Sequence, residues 1–266
     1  MNGLGNDFVI FDQRSENTQF SKDELIKIAD RNTGIGCDQV ILIKSKSNHD
    51  GELIEFFNSN GQEVMACGNG SRCVANLLMM EKDINEIKIN TKERLLNCTR
   101  VSENIISIDM GIPNFHWNKI PLKLNPDENQ LSFTSGNKTL DHPFFINIGN
   151  PHIIFFVNNL DQYDILKFGP MIENHELFPE KINVNIANII SKNEINLNVW
   201  ERGAGYTRAC GTGACATAVA AIKNHNCQNE LKISLPGGTL DINYELNKNI
   251  IMSGATEISF EGSFEL

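Results

Sequence analysis

Two cysteines of this chain lie in nearly identical pentapeptides, Ala-Cys-Gly-Asn-Gly around Cys67 and Ala-Cys-Gly-Thr-Gly around Cys210. Each half of the 266-residue chain carries one copy. A thiol titrates near pH 8.5, so its thiolate and its protonated form are both accessible close to neutral pH. Inversion of a carbon stereocentre needs such a pair, because one group removes a proton and the other returns one on the opposite face. The duplicated cysteines therefore predict two-base proton transfer.

The residues after each cysteine predict how its thiol is positioned. Both cysteines precede Gly-x-Gly and then a segment with helical spacing, residues 71–81 in the first half and residues 213–223 in the second. Each thiol should therefore lie at a helix N-terminus, where unpaired backbone N–H groups bind anions and lower a thiol pKa. A buried or like-charged setting would raise the same pKa. A substrate carboxylate bound there would gain stabilisation of the negative charge that develops in the transition state.

Polar residues repeat at nearly equal distances from the two cysteines. Asn58 and Glu201 each lie nine residues before their cysteine. Two further pairs match within one residue of offset: Asn6 with Asn150, and Gln39 with Asn183. Self-similarity at one long period indicates a duplicated domain, whereas a solenoid would show several short repeats. We expect two similar lobes related by a pseudo-twofold axis, with the cysteines facing one cleft.

The second copy carries ionisable residues where the first copy is neutral. The pairs are Phe8 with His152, Asn58 with Glu201, and Ser59 with Arg202. An imidazole and a carboxylate near the thiols would determine which cysteine is the thiolate. A guanidinium would bind a distal carboxylate through two hydrogen bonds.

Helix and strand patterns alternate in both halves, beginning with a capping box at residues 21–24. We predict the α+β class, with two pseudo-symmetric lobes from an internal duplication, each a curved, mostly antiparallel sheet around a central helix. Residues 1–112 would form the N-terminal lobe, to which residues 256–266 return as a last strand, strongest over residues 258–264. Residues 113–255 would form the C-terminal lobe, with the active site between the lobes. Three prolines mark the passage between them: Pro113, Pro121 and Pro126.

The overall composition argues against several classes of partner. A formal net charge of −10 disfavours nucleic acid and anionic membranes, both of which bind basic surfaces. The sequence begins without the features of a signal peptide and contains no apolar stretch of about 18 residues. Seven cysteines, an odd number, fit a reduced cytoplasmic protein better than a disulfide framework. The cysteine spacings do not match common zinc sites, so we expect no metal.

Five motifs together resemble the diaminopimelate epimerase family. They occur in order over almost the whole chain: residues 3–8 (GLGNDF), 34–39 (GIGCDQ), 66–70 (ACGNG), 149–152 (GNPH), and 201–203 (ERG) followed by 209–213 (ACGTG). The resemblance implies a two-lobed enzyme that uses no cofactor, pyridoxal phosphate included, and interconverts LL- and meso-diaminopimelate. Such enzymes serve the synthesis of lysine and of peptidoglycan precursors.

The same resemblance implies roles for individual residues. Cys67 and Cys210 would be the catalytic acid–base pair, and His152 and Glu201 would tune the pKa values of the thiols. The remaining residues would bind substrate, four of them holding the reacting carboxylate (Gly68, Asn69, Gly211 and Thr212) and the others orienting the rest (Asn6, Gln39, Asn58, Asn150, Asn183, and Glu201 with Arg202). Tyr206 and Arg208 depart from the family pattern, which has an acidic and an apolar residue there.

Other functions remain open at this point. A racemase of another amino acid could use the same scaffold: proline racemases share the Cys-Gly-Thr-Gly motif but carry histidine at the position of Asn69, whereas histidine racemases share both cysteines. A non-catalytic amino-acid-binding protein or a thiol redox protein is a different class, although a binder needs no matched thiols and no Cys-x-x-Cys is present. We expect a small-molecule substrate as partner, and the sequence leaves open whether the protein is a homodimer.

Overall fold

The chain folds into two compact units. A computed structural model describes residues 1–15, 19–45, 51–65, 67–92, 94–125 and 131–265. The first unit comprises Met1–Asp109 and Ser253–Leu266, and the second comprises Met110–Met252. Pro126 and Leu266, which the sequence analysis assigned to a turn and to the end of a strand, lie outside the described residues.

The first unit contains a mixed sheet and two helices. Its strands are β1 (Asn2–Gly3), β2 (Asn6–Gln13), β3 (Gln39–Lys44), β4 (Glu52–Asn58), β5 (Glu63–Val64), β6 (Glu86–Asn90), β7 (Leu95–Ser102) and β8 (Ile105–Asp109). They lie in the order β1-β2-β3-β4-β6-β7-β8, and β5 pairs with β4. Helix α1 (Lys22–Ala29) begins at the predicted capping box, in which the Ser21 hydroxyl and the Glu24 carboxylate each accept the other residue's backbone N–H. Helix α2 (Gly68–Lys82) follows Cys67.

The second unit also contains a mixed sheet and two helices, and it adds a separate hairpin. Its strands are β9 (Ser132–Ser135), β10 (Lys138–Asp141), β11 (Phe144–Asn147), β12 (Pro151–Phe156), β13 (Asn183–Ser191), β14 (Glu194–Glu201), β15 (Gly205–Thr207), β16 (Glu230–Leu235) and β17 (Gly238–Tyr244), and β18 (Ile250–Ala255) leads back to the first unit. The sheet order is β17-β16-β14-β13-β12-β11, with β15 on β14 and a separate β9–β10 hairpin. The helices are α3 (Ile165–Glu173) and α4 (Gly211–His225).

The internal duplication is visible in the strand pairing. In both units a strand that begins at Asn6 or directly after Asn150 pairs in parallel with the next strand (β2–β3 and β12–β13). That second strand pairs antiparallel with the third (β3–β4 and β13–β14). The third strand then pairs antiparallel with a short strand and parallel with the following one. The registers also agree, since Val40 opposes Phe57 as Val184 opposes Trp200. The predicted duplication and fold class are therefore confirmed.

Each unit has one long, largely buried helix. Helices α2 and α4 both contain 15 residues and end at a C-cap in the left-handed conformation, Asp83 and Asn226 respectively. Helix α4 is rich in alanine, with Ala214, Ala216 and Ala218 fully buried. Small side chains allow strands to pack closely around a helix that is apolar on all sides. These two helices are the central helices that the sequence predicts.

The predicted C-terminal strand is wrong. The last strand is β18, and the described residues 256–265 form only an isolated bridge between Glu257 and Asn2. Ile250 and Met252 are fully buried, whereas Phe260 is 69% exposed. Phe264 packs against the edge of the first unit's core, but the described residues 258–264 pair with no neighbouring strand, so the alternation of apolar residues does not produce a strand. Among the described residues, no helix is both long enough and apolar enough to cross a membrane.

Candidate active site

Both duplicated cysteines are N-caps of the central helices. Cys67 is extended (φ −142°, ψ 114°), and its Sγ accepts the backbone N–H of Gly70 at 3.4 Å. Cys210 has nearly the same backbone (φ −134°, ψ 108°), and its Sγ accepts the N–H of Gly213 at 3.3 Å. In each first turn one N–H group that lacks a partner within its helix therefore donates to the cysteine sulfur, as the Gly-x-Gly pattern predicts.

Glycine follows each cysteine because neighbouring side chains approach the first helical turn closely. A Cβ atom on Gly70 would lie 2.9 Å from Ile41 Cδ1, and one on Gly213 would lie 2.7 Å from Asn185 Oδ1. At these separations a Cβ atom would force the neighbouring side chain to move, so glycine is favoured at both positions. The pentapeptide sequence therefore supplies both the N-cap cysteine and the glycine that lets Ile41 or Asn185 approach the first helical turn.

Asn6 presents a hydrogen-bond acceptor to Cys67. The Asn6 Nδ2 donates to Asp38 Oδ2 at 2.8 Å, and the Cys67 thiol lies 3.9 Å from Asn6 Oδ1. Because a carboxylate only accepts, Asn6 must turn its amide nitrogen to Asp38 and its oxygen to the thiol. Arg31 fixes this carboxylate in turn and donates two hydrogen bonds to Asp7, which holds the pKa of the Asp7 carboxyl below its usual value.

The other predicted residues of the first unit lie in helix α2 or in strands β3 and β4. Gln39 and Asn58 oppose each other in register, and Gln39 Nε2 donates to Asn58 Oδ1 at 2.9 Å. Gly68 is the first residue of α2. The Asn69 Oδ1 accepts a hydrogen bond of 2.9 Å from the guanidinium of the fully buried Arg72. The backbone of Asn69 lies in the first turn of α2.

In the second unit a series of hydrogen bonds runs from a buried histidine to Cys210. His152 Nε2 lies 2.9 Å from Asn150 Oδ1, and Asn150 Nδ2 donates to Thr212 Oγ1 at 3.2 Å. Thr212 Oγ1 lies 3.5 Å from Cys210 Sγ. Asn150 thus turns its nitrogen toward the helix N-terminus, whereas the equivalent Asn6 turns its oxygen toward it. The two cysteines have different environments although their backbones match.

Burial and charge shift the pKa values of the second unit's site residues. Burial raises the pKa of the Cys210 thiol, and the negative charge of Glu201 raises it further, while hydrogen bonds from Thr212 and Gly213 oppose the rise. Burial also raises the pKa of Glu201, although a hydrogen bond from the Thr207 hydroxyl lowers it. Burial lowers the pKa of His152 to about 3, so this imidazole is neutral at neutral pH.

Asn183 and Glu173 hold the loop that carries Arg202. Asn183 Oδ1 accepts the backbone N–H of Arg202 at 2.9 Å. The Glu173 carboxylate accepts the N–H of Gly203 at 2.9 Å and the indole N–H of Trp200 at 2.8 Å. The Arg202 guanidinium remains at an exposed residue, with one hydrogen bond of 3.2 Å to the Glu180 carbonyl. The loop is therefore fixed while its cation stays accessible.

The predicted residues form connected groups within each unit, and four contributing residues were not predicted. Asn185, Thr207 and Asp38 contact predicted site residues, and Glu173 contacts Gly203, the neighbour of Arg202. A signal existed for Asn185, because it follows Asn183 by two residues on a strand whose first five residues are all buried. Of the two departures from the family pattern, Tyr206 pairs with Trp200 in β15, and the Arg208 carbonyl accepts the Gly237 N–H at 2.7 Å.

Comparison with known proteins identifies the family. The sequence matches the diaminopimelate epimerase family over residues 1–116 and 144–258. This chain belongs to the diaminopimelate epimerase family. It is 47% identical to the diaminopimelate epimerase of Pelagibacter ubique over 257 residues, which cover 96% of this chain and 93% of that protein. The enzyme of Erythrobacter litoralis is 44% identical over 266 residues, covering 100% and 96% respectively. As a member of this family the chain is an isomerase.

Solved structures share the fold at low sequence identity. A hydroxyproline epimerase from Agrobacterium vitis matches with a TM-score of 0.66 at 10% identity, covering 96% of this chain and 87% of its own. A PhzF-family phenazine biosynthesis protein from Bacillus anthracis matches with a TM-score of 0.60 at 17% identity, covering 96% and 92%. Since one fold serves several activities, these matches establish architecture alone.

Proposed function

We propose that this chain epimerises LL-2,6-diaminopimelate to meso-diaminopimelate with Cys67 and Cys210 as its two bases and without pyridoxal phosphate. Family membership supports the substrate. The mechanism rests on one observation above all: two thiols cap two equivalent 15-residue helices with almost identical backbone angles. The product would serve lysine and peptidoglycan precursor synthesis, and a reduced cytoplasm would keep both thiols reactive.

In the proposed reaction one cysteine acts as thiolate and the other as thiol. The thiolate removes the α-proton and becomes a thiol, and the opposite thiol protonates the carbanion and becomes the thiolate. Both sulfur atoms must therefore reach the same carbon from opposite faces. Direction of reaction is decided by which thiol is deprotonated when substrate binds, so the unequal surroundings of the two cysteines matter for catalysis.

The helix N-termini would bind the reacting carboxylate. The backbone N–H groups of Gly68 and Asn69, and those of Gly211 and Thr212, lie in the first turns and have no partner within their helices. Negative charge that moves onto this carboxylate as the α-proton leaves would be stabilised by the same N–H groups. This stabilisation addresses the main barrier, because the α-proton of an amino acid is a very weak acid.

Glu201 is the proposed partner of Cys210 in proton transfer. Its carboxylate interacts directly with the thiol, and burial raises the pKa values of both groups. A carboxylate in contact with the thiol can take up its proton and return it. Arg202 follows in sequence and would bind the distal carboxylate of diaminopimelate, with Asn58, Asn183, Gln39, Asn6 and Asn150 orienting the rest of the substrate.

The test follows isotope incorporation by proton NMR. Purified, reduced protein is incubated with LL-diaminopimelate in D₂O, and we expect solvent deuterium at the α-carbon as the meso isomer appears. Cys67→Ser and Cys210→Ser should each abolish turnover. Cys227→Ser is the matched control, because Cys227 is a buried thiol outside the site and its variant should retain activity.

Each alternative has its own outcome. A wild-type rate in Cys67→Ser would rule out the two-base mechanism. Exchange with histidine or proline but not with diaminopimelate would retain the mechanism and change the substrate. Failure to exchange any amino acid would favour a binding protein.

A further inference from the structure

Asn185 fixes the tautomer of a buried histidine. The Asn185 side chain is fully buried, and its Nδ2 donates to the Ile153 backbone carbonyl at 3.0 Å. A carbonyl oxygen only accepts, so the atom facing it must be the amide nitrogen. The same nitrogen lies 3.1 Å from His152 Nδ1. His152 Nδ1 must therefore accept this hydrogen bond, and the single ring proton of the neutral imidazole lies on Nε2.

The tautomer determines the direction of every later hydrogen bond. The His152 Nε2–H donates to Asn150 Oδ1, which turns Asn150 Nδ2 toward Thr212. The Thr212 hydroxyl oxygen accepts from Asn150 with one lone pair, which leaves its hydrogen free to be donated to Cys210 Sγ, 3.5 Å away. We call this series from Asn185 through His152, Asn150 and Thr212 to Cys210 the His152 relay. Its last member receives a hydrogen bond, which favours a thiolate.

The first unit lacks both polar members at the start of the relay. Ile154 opposes Asn185 in register, as Ile10 opposes Ile41, so Ile41 is the equivalent of Asn185. The first-turn glycines give the same correspondence, since Gly70 packs on Ile41 where Gly213 packs on Asn185. The equivalent of His152 is Phe8. His152 and Asn185 thus occur together in the second unit, whereas the first unit has apolar residues, Phe8 and Ile41, at both equivalent positions.

We propose that Asn185 is a positioning residue, which locks His152 in the Nε2–H tautomer and thereby directs the Thr212 hydroxyl hydrogen onto Cys210. The proposal deepens the proposed function and rests on it, because the relay affects catalysis only where Cys210 exchanges a proton with substrate. Two charged groups act on the same residues. Glu201 faces Cys210 and opposes the relay by favouring the thiol, and the Arg202 charge disfavours a protonated His152.

Packing supports a specific purpose for this asparagine. Within the described residues, no hydrogen-bond partner reaches the buried Asn185 Oδ1, which lies against Gly213. An unsatisfied buried acceptor destabilises a fold, and an apolar side chain such as that of Ile41 would avoid it. The Nδ2 of Asn185 therefore has hydrogen-bond partners while its Oδ1 has none among the described residues. This arrangement fits a residue whose amide N–H groups determine the direction of the hydrogen bonds in the relay.

The experiment measures tautomer and thiol pKa on one sample. Protein labelled with ¹⁵N in histidine and ¹³Cβ in cysteine is titrated by NMR, with His152→Gln and Cys210→Ser to assign the two signals. Wild type should show His152 as the Nε2–H tautomer alone. Asn185→Leu should give a mixed or Nδ1–H tautomer and should raise the Cys210 pKa, reducing its thiolate fraction at a fixed pH by about tenfold.

Asn188→Leu is the matched control. Asn188 lies on the same strand, and its Nδ2 donates to the carbonyls of Val157 and Asn158 at 3.0 Å without contacting a titratable group. This variant should leave both signals unchanged. An Nδ1–H tautomer in wild type would overturn the proposal without any variant, so the test does not depend on Asn185→Leu folding. An unchanged tautomer and Cys210 pKa in folded Asn185→Leu would also overturn it. Neither readout requires turnover, so failure of the proposed function would be seen separately in the isotope experiment.

Discussion

Acidification should destabilise the protein through His152. The imidazole is 0% exposed, and burial lowers its pKa from 6.5 to about 3. Below pH 6.5 the unfolded state binds a proton that the folded state does not, so stability is lost as the pH falls toward 3. Between pH 8 and pH 5 this single group should remove about 2 kcal/mol from the free energy of unfolding.

Urea unfolding of wild type and His152→Gln at pH 8, 6.5, 5.5 and 5 isolates this contribution. Groups common to both proteins cancel in the difference, including His225, whose pKa burial also lowers, and Glu201, whose pKa burial raises. The variant should be less sensitive to pH than wild type, and the two free energies should converge by about 2 kcal/mol on acidification. Parallel curves would show that the fold does not hold His152 neutral, and the reasoning on the relay would lose its starting point.

Two further substitutions separate packing from catalysis. Gly213→Ala should destabilise the protein by about 1–2 kcal/mol in urea unfolding, since overpacking outweighs the gain in helix propensity, and should also reduce kcat because the new Cβ would lie 2.7 Å from Asn185 Oδ1 and 3.3 Å from Cys210 Sγ. Glu173→Gln should raise KM for diaminopimelate up to about tenfold with little change in kcat, because the loop carrying Arg202 would lose an acceptor.

Each substitution has a counterpart elsewhere in the chain. Gly70→Ala meets the side-chain ends of Ile41 and Phe56 at 2.9 and 3.0 Å, so it should cost similar stability without disturbing the relay. An unchanged kcat in Gly213→Ala would contradict the packing argument. Glu176→Gln removes an exposed carboxylate that pairs with Lys123 at 3.5 Å, and it should leave KM unaltered. A KM for Glu173→Gln equal to that of Glu176→Gln would show that the loop does not depend on Glu173.

Sequence alone predicts the duplication well because the repeat is carried by backbone geometry. Gly-x-Gly after each cysteine sets a helix start, and both helices begin where it indicates. The offsets from each cysteine to its polar markers become strand registers, so Phe8 opposes Gln39 as His152 opposes Asn183. Local spacing of this kind survives folding, since it reflects the same strand and helix lengths in both units.

Tertiary contacts account for what the sequence did not reveal. Residues 258–264 alternate in polarity as a strand would, yet within the described part of the chain they pair with no neighbouring strand, and Phe260 is 69% exposed. Glu173 acts on a loop 30 residues further along the chain, through its contact with Gly203. Asn185 resembles an ordinary strand residue until its partner Ile153 is known, because a backbone carbonyl gives its amide a direction. Hydrogen-bond polarity depends on such partners and has no pattern along the chain.

The sulfur N-caps imply a conflict between durability and activity. Oxygen from serine, threonine, aspartate or asparagine is the preferred N-cap acceptor, whereas sulfur accepts weakly and here stands 3.4 and 3.3 Å from the N–H groups it receives. Serine at either position would hold its helix more firmly and leave no thiol for proton transfer. Selection for turnover would therefore retain a weaker N-cap on both α2 and α4. The buried helices and sheets around these caps must then supply the stability that a stronger cap would have contributed.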